Sequence, residues 1–219
     1  LVAASNCREH HYQITGYATR DGRFLGVTCE ATVDSGAYSS YPFSACLEAA
    51  QVASILPGPY DFPGYACKTY SVATNKCPIL PYRGVARTGV CFALELVIDA
   101  LAREIGMQPH HFRQRCLVRP EQMPFDNITK KHFDSGDYPR AVEMAIDAID
   151  LEGLRIRQRS GEPDGRQVGF GMAIYCEQAA HGTSVYAGWG IPMVPGKEQC
   201  TARITPDGGL ELRIGAQSH

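Results

Sequence analysis

Apolar and polar positions alternate from His10 to Thr19, in a run rich in β-forming residues, and again from Phe24 to Val33. A period of two predicts half-buried strands. Asp21-Gly22 between them supplies a hairpin turn, because glycine accepts φ > 0 at little steric cost. A short helix is expected over Phe43–Ala53, where small apolar residues surround Glu48. The stretch Leu56-Pro57-Gly58-Pro59-Tyr60-Asp61-Phe62-Pro63-Gly64 holds too many breakers for regular structure and reads as a loop. Tyr65–Thr74 alternates again and reads as a third strand. The clearest element is Gly89–Ile105: Val90, Ala93, Leu94, Val97, Ile98, Leu101 and Ile105 recur at the spacing of one helical face. Gly106 follows it as a C-cap.

A second helix is predicted to start after Pro109 and run to Cys116. The polar, proline-bearing stretch Arg119–Tyr138 separates it from another helix, N-capped by Asp137, with Val142, Ala145, Ile146 and Ile149 on one face. Leu151–Arg159 reads as an extension of that helix. From Arg166 the pattern returns to β: an apolar strand over Val168–Tyr175, then Thr201–Ile204 and Leu210–Ile214 flanking the turn Thr205-Pro206-Asp207-Gly208-Gly209. This order implies an α+β fold with mixed or antiparallel sheets and packed helices, not a regular βαβ winding. The change of character over residues 119–165 marks a boundary between lobes.

Composition narrows the function. With 21 Lys+Arg against 23 Asp+Glu the formal net charge is −2, and no basic stripe for a phosphate backbone is present. No apolar run approaches the roughly 20 residues of a membrane span. The nine cysteines are odd in number and include no Cys-x-x-Cys, so they read as small buried hydrophobes of a reducing cytoplasm, not as a disulfide framework or a zinc site. His10-His11 and His110-His111 are adjacent pairs, and neighbours in a strand point to opposite faces, which is a poor arrangement for chelation. Glu177 and His181 have the spacing of a helical acid/base or metal pair, but a helix there is doubtful on sequence. Glu95 and Asp99 share one face of the long helix, as a solvated or ion-pairing face.

The most informative stretch is Leu80-Pro81-Tyr82-Arg83-Gly84-Val85-Ala86-Arg87. Two arginines four apart, in a loop that leads into a helix N-terminus, suit an anion: guanidiniums grip it bidentately, the helix end is partly positive, and Gly84 lets backbone approach closely. A loop with two solvated arginines is the competing reading. A free-standing phosphate- or nucleotide-binding domain built on Arg83 and Arg87 is a further one.

Tyr82-Arg83-Gly84-Val85-Ala86-Arg87, the helix carrying Glu95-Leu96-Val97-Ile98-Asp99, and Gly106-Met107-Gln108-Pro109 together resemble the molybdenum-binding large subunit of the xanthine dehydrogenase / aldehyde oxidase / carbon monoxide dehydrogenase family. Asp34-Ser35-Gly36-Ala37-Tyr38, Arg113-Gln114-Arg115-Cys116-Leu117-Val118 and Tyr138 after Asp134-Ser135-Gly136-Asp137 resemble it in the same order. Gly215-Ala216-Gln217-Ser218-His219 is similar to the start of the family's Gly-x-x-x-His-Gly-Gln-Gly pterin loop. The resemblance implies an internal piece of such a subunit: residues 1–118 the rear of a first molybdopterin-binding lobe, 119–165 a connecting segment, 166–219 the start of a second lobe.

It further implies a molybdopterin enzyme, in bacteria commonly of the cytosine dinucleotide form. Such enzymes hydroxylate an aldehyde or N-heteroaromatic substrate with oxygen from water and pass electrons to 2Fe-2S clusters and FAD on partner subunits or domains. On this resemblance Arg83, Gly84, Gln217 and His219 face the cofactor, and Tyr82, Val85 and Ala86 border the substrate. The catalytic base is a glutamate downstream of these residues, and no metal ligand falls within them. Val85 occupies a place that is often aromatic in purine hydroxylases, which argues against xanthine. Gly84 stands where carbon monoxide dehydrogenases carry a copper-binding cysteine, which argues against CO. Thr88-Gly89 replaces the Pro-Glu of many relatives. The rival from another class is a non-catalytic α+β scaffold module without cofactor.

Overall fold

The computed structural model describes residues 7–39, 45–178, 181–188, 190 and 199–215. They fall in two units, Leu1–Cys176 and Glu177–His219. In the first, strands β1 (His10–Ala18) and β2 (Phe24–Gly36) form the expected antiparallel hairpin, with His10 opposite Val33 and Ile14 opposite Cys29. Strand β3 (Gly64–Ala73) runs parallel to β2, giving the order β1-β2-β3. Helix α1 (Leu47–Ile55) makes the crossover between the two parallel strands. It starts later than the expected Phe43, and residues 43 and 44 lie outside those described.

Period-two burial works as alternation predicts. Val27, Cys29, Ala31 and Val33 point from β2 into one core, where they meet Val52 of α1 and Leu94 and Ile98 of α2 (Arg87–Glu104). Helix α2 lies over β1 and buries Val90, Ala93, Leu94 and Ile98 of the predicted face, with Val97, Leu101 and Ile105 half-buried, and it buries Ala102 as well. His10 and His11 separate to opposite faces: the His10 side chain is buried and that of His11 exposed.

The breaker-rich loop 56–64 is irregular as expected, yet it is core. Leu56, Tyr60 and Phe62 are buried, and the Phe24 ring stacks against Phe62 at 4.6 Å and meets Tyr60 and Phe112 edge-on. Its backbone is satisfied by the end of α3 (Pro109–Cys116): Val118 N–H donates to Pro59 O at 2.9 Å and Asp61 N–H to Cys116 O at 2.9 Å. Buried polar backbone needs such partners, and they let a loop serve as core.

Glu95 and Asp99 are an ion-pairing face, not a solvated one. The wholly buried Arg113 guanidinium of α3 donates from Nε to Glu95 Oε2 at 2.8 Å and from Nη1 to Asp99 Oδ1 at 2.6 Å. Tyr60 Oη–H donates to Glu95 Oε1 at 2.6 Å. Arg113 Nη2 reaches the carbonyl of Met172 at 2.9 Å. Burial pushes the Glu95 carboxyl up, against the pull of Arg113 and Tyr60.

The bond to Met172 O ties down the segment around that residue. Val168–Tyr175 is not a strand. It is extended, with Val168, Phe170, Met172 and Ile174 half-buried and alternate residues exposed, but among the described residues it has no strand partner. Its carbonyls go instead to side chains: Met172 O to Arg113 and Val168 O to Gln158 Nε2 at 2.9 Å. A period of two reports an extended backbone on a surface, and a ladder is a separate requirement.

Helix α4 (Tyr138–Ala148) is N-capped as predicted, Asp137 Oδ1 accepting from Arg140 N–H at 3.0 Å. Of its predicted face Val142 is buried and Ile146 half-buried, while Ala145 and Ile149 are exposed. Leu151–Ser160 is a separate helix, α5, not an extension. Asp150 takes a left-handed φ of 46° and caps α5 through Gly153 N–H, which stops α4. A small ladder within the polar stretch, β4 (Phe125–Asp126) with β5 (His132–Phe133), was not expected.

In the second unit, α6 (Thr183–Gly188) begins beyond Glu177 and His181, so that pair does not sit on a helix. Strands β6 (Cys200–Ile204) and β7 (Leu210–Ile214) form the predicted hairpin, closed by Thr205 N–H to Gly209 O. The whole is α+β with mixed and antiparallel sheets.

Replacing Arg113 by Ala leaves the Glu95 carboxylate buried without its cation, which costs about 3–5 kcal/mol. Chemical denaturation should show that loss. A change below about 1 kcal/mol, within the range of an exposed pair, would contradict the burial described.

Candidate functional site

The segment that carries Tyr82–Arg87 leaves the sheet by way of the Asp34-Ser35-Gly36 corner. Asp34 Oδ1 accepts from Gly36 N–H at 2.8 Å and from Thr74 Oγ1 at 2.7 Å, and Oδ2 pairs with Lys76 Nζ at 2.9 Å. Gly36 has a φ of 68°, and a Cβ there would lie 2.1 Å from Cys77 O, so no larger residue fits. Backbone bonds from Ala37 N–H to Lys76 O, Thr74 N–H to Gly36 O and Ile79 N–H to Ser35 O tie residues 74–79 to the end of β2. The chain therefore arrives at residue 80 in a defined place.

Residues 83–86 are a turn, and α2 starts at Arg87, two residues before the predicted Gly89. Val85 N–H donates to Tyr82 O at 2.6 Å and Arg87 N–H to Gly84 O at 2.8 Å. Gly84 has a φ of 91° and Val85 a φ of 47°. A β-branched residue in the left-handed region is rare and is retained only where its surroundings impose it. Arg8 is the group that does so. Its guanidinium donates from Nε to Val85 O at 3.2 Å, from Nη2 to Tyr82 O at 3.4 Å and also to Arg83 O, and lies over the Tyr82 ring at 5.1 Å. Sequence reasoning missed Arg8: its partners are 74 to 77 residues away and are main-chain atoms.

With its carbonyls turned to Arg8, the loop leaves Tyr82 and Arg83 exposed and Gly84 and Val85 half-buried. Ala86, expected to border the substrate, is instead fully buried in the hydrophobic core. It is also the N-cap of α2, so no capping side chain takes up the N–H groups of the first turn beyond that of Arg87, which is bonded to Gly84 O. Lys131 adds a second unanticipated cation: burial, then the charge of Arg87, lower its ammonium from the usual value. Arg83, Arg87 and Lys131 thus supply positive charge. Among the described residues no three His, Cys, Asp or Glu side chains converge on one point. Gln217 and His219 lie outside the described residues.

The model of the molybdopterin cofactor-binding domain matches residues 1–117, which include Arg8, the Asp34–Gly36 corner and the 82–87 turn. The chain belongs to the molybdenum-binding large subunits of the xanthine dehydrogenase / aldehyde oxidase / carbon monoxide dehydrogenase family. It is 28% identical over its full length to the nicotine 6-hydroxylase large subunit of Paenarthrobacter nicotinovorans, of which it covers 26%. It is 30% identical over 95% of its length to the carbon monoxide dehydrogenase large chain of Hydrogenophaga pseudoflava, again covering 26%. Among solved structures, quinoline 2-oxidoreductase from Pseudomonas putida 86 superposes with a TM-score of 0.83 at 30% identity, over 96% of this chain and 27% of that one. The chain therefore spans about a quarter of the length of the relatives it matches. The donor set of the 82–87 turn fits a polyanionic cofactor: two loop arginines, left-handed backbone and an open helix N-terminus.

Asp34 gives this region a pH dependence. Burial acts to raise its carboxyl, but hydrogen bonds from Thr74 and Gly36 and the Lys76 ammonium hold it below the usual carboxylate range. A depressed carboxyl contributes stability that is present above its unfolded pKa of about 3.9 and is lost as pH falls through the folded value. Asp34→Asn should lower stability at neutral pH by about 1.5–3 kcal/mol. It should also lose less than the unsubstituted protein on acidification below about pH 4. Parallel acid-unfolding curves for the two proteins would contradict the assignment.

Proposed function

We propose that this chain is part of a molybdenum hydroxylase that oxidises an N-heteroaromatic or aldehyde substrate, with water as oxygen source and with 2Fe-2S and FAD partners as electron acceptors. The observation that carries the reading is the left-handed Gly84-Val85 turn, held from beneath by Arg8 and opening onto the uncapped start of α2. The names of two relatives, a nicotine hydroxylase and a quinoline oxidoreductase, favour the N-heteroaromatic class. Carbon monoxide is disfavoured because Gly84 has no side chain to ligate copper, and xanthine because Val85 offers no ring to clamp a purine.

In this reading Arg83 and the first-turn N–H groups of α2 hold the pyranopterin and phosphate oxygens of molybdopterin, in its cytosine dinucleotide form. Gly84 lets the main chain approach the same group, and Gln217 and His219 complete the contact. Tyr82 and Val85 border the substrate. When bound, the group supplies the two-electron oxidation and activates the water-derived oxygen. The protein's own share is to orient it, neutralise its charge and exclude bulk water. The base comes from a glutamate elsewhere in the full subunit. Residues 1–118, 119–165 and 166–219 are the rear of one cofactor-binding lobe, a connector and the start of the next. A cytoplasmic location suits the cysteine usage, and no described helix is long and apolar enough to cross a membrane.

Two substitutions in the full-length enzyme test this. Arg83→Ala removes charge-assisted hydrogen bonds of about 1.5–3 kcal/mol, so cofactor retention should fall by about ten- to a hundredfold. Gly84→Leu forces a side chain into a φ of 91° and should lose at least as much, by strain and by blocking backbone approach. Molybdenum and pterin contents equal to those of the unsubstituted enzyme in both variants would remove the loop from the cofactor site. An empty but folded parent would favour a non-catalytic scaffold instead.

A further inference from the structure

Between β2 and β3 the parallel register sets Cys29 directly opposite Cys67. Both side chains lie on the inner face of the sheet, Cys29 in the core and Cys67 packed against it. Cys67 is nevertheless only half-buried, so a small molecule can reach it, while Cys29 is buried beside it. Adjacent strands lie about 4.8 Å apart, within the roughly 4.4–6.8 Å between α-carbons that a disulfide accepts. We propose that Cys29 and Cys67 form a redox-active dithiol, a modification site that small hydroperoxides convert to a reversible disulfide.

The groups around the pair assign the two sulfurs different parts. Interaction with Cys29, and after it with Tyr65, holds the Cys67 thiol down at about 7 against the opposing effect of burial. Cys29 itself is raised, by Cys67 first, then by burial and by Glu30. The other titratable groups facing the pair are Tyr12 and Tyr65. The Tyr65 hydroxyl donates its proton to Ala53 O at 2.7 Å. Cys91 and Cys116, in contrast, are pushed by burial up to about 11. Cys67 is therefore the attacking thiolate and Cys29 the resolving thiol.

The chemistry balances in two steps. The Cys67 thiolate attacks one oxygen of the hydroperoxide, an S–O bond forms as the O–O bond breaks, and the departing oxide takes a proton to leave as water or an alcohol. Cys29 sulfur then attacks the Cys67 sulfenic acid: the S–S bond forms, the S–O bond breaks, and hydroxide leaves as water with the Cys29 proton. Two thiols are oxidised by two electrons and one peroxide is reduced. The proposal does not depend on the cofactor reading, because it needs only the β2–β3 register.

The test is a non-reducing peptide map of the full-length enzyme after graded hydrogen peroxide. The expected product is a linked Cys29–Cys67 peptide that dithiothreitol separates. Cys29→Ser should stop at a dimedone-reactive sulfenic acid on Cys67, and Cys67→Ser should leave Cys29 unmodified. Iodoacetamide at pH 7 should label Cys67 at least about ten times faster than Cys91, because half of a thiol with a pKa near 7 is thiolate. The unsubstituted protein alone decides the matter if a variant fails to fold. Oxidation of exposed Cys46, Cys176 or Cys200 with Cys29 and Cys67 still reduced would overturn the proposal, as would equal labelling of Cys67 and Cys91.

Discussion

The buried guanidinium of Arg113 is the interaction on which the first unit depends. Its donors reach two carboxylates of α2 and carbonyls at Pro109, Glu95 and Met172, and Tyr60 completes the shell around Glu95. Four pieces of chain that are distant in sequence meet there: α2, α3, the loop 56–64 and the extended segment around Met172. A buried ion pair is a weak source of net stability, since desolvation offsets most of its Coulombic gain. What it does is make other arrangements costly, because any packing that parts Arg113 from Glu95 leaves a charge without a partner in the core.

That constraint reaches the candidate site through α2. Glu95 and Arg87 lie on one continuous helix, two turns apart, so a rise of about 1.5 Å per residue separates the anchor from the helix mouth by about 12 Å. The mouth is fixed a second time by Arg8, which takes the carbonyls of the turn, while Arg83 stays exposed. The Asp34-Ser35-Gly36 corner fixes the chain on its way in. A surface turn with a left-handed valine is thus held from three sides, as a site that must meet a rigid, highly charged group requires.

Features set by local pattern were legible in the sequence. The β1–β2 hairpin, the apolar face of α2, the Asp137 cap and the β6–β7 turn each depend on residues within a few positions of one another. The 82–87 loop was legible as an anion candidate because arginine, glycine and a helix start coincide there. What escaped depends on distance or on main-chain partners. Arg8 precedes the first strand and acts on carbonyls. The proline-rich loop 56–64 is legible as irregular, but its burial depends on hydrogen bonds with the end of α3. Val168–Tyr175 has the period of a strand, but its partner is a guanidinium. Ala86 belongs to the conspicuous motif, yet helix geometry turns it into the core. Asp150 breaks the helical run through its own backbone conformation, which its neighbours do not announce.

The claim that joins these observations is that the 82–87 turn faces a molybdopterin. The most direct measurement is the molybdenum and pterin content, per large subunit, of the native full-length enzyme purified from molybdate-replete cells. Close to one molybdenum and one pterin per subunit is the result the account predicts. A folded subunit carrying neither would contradict it, and Arg83 would then be an ordinary solvated arginine on a scaffold.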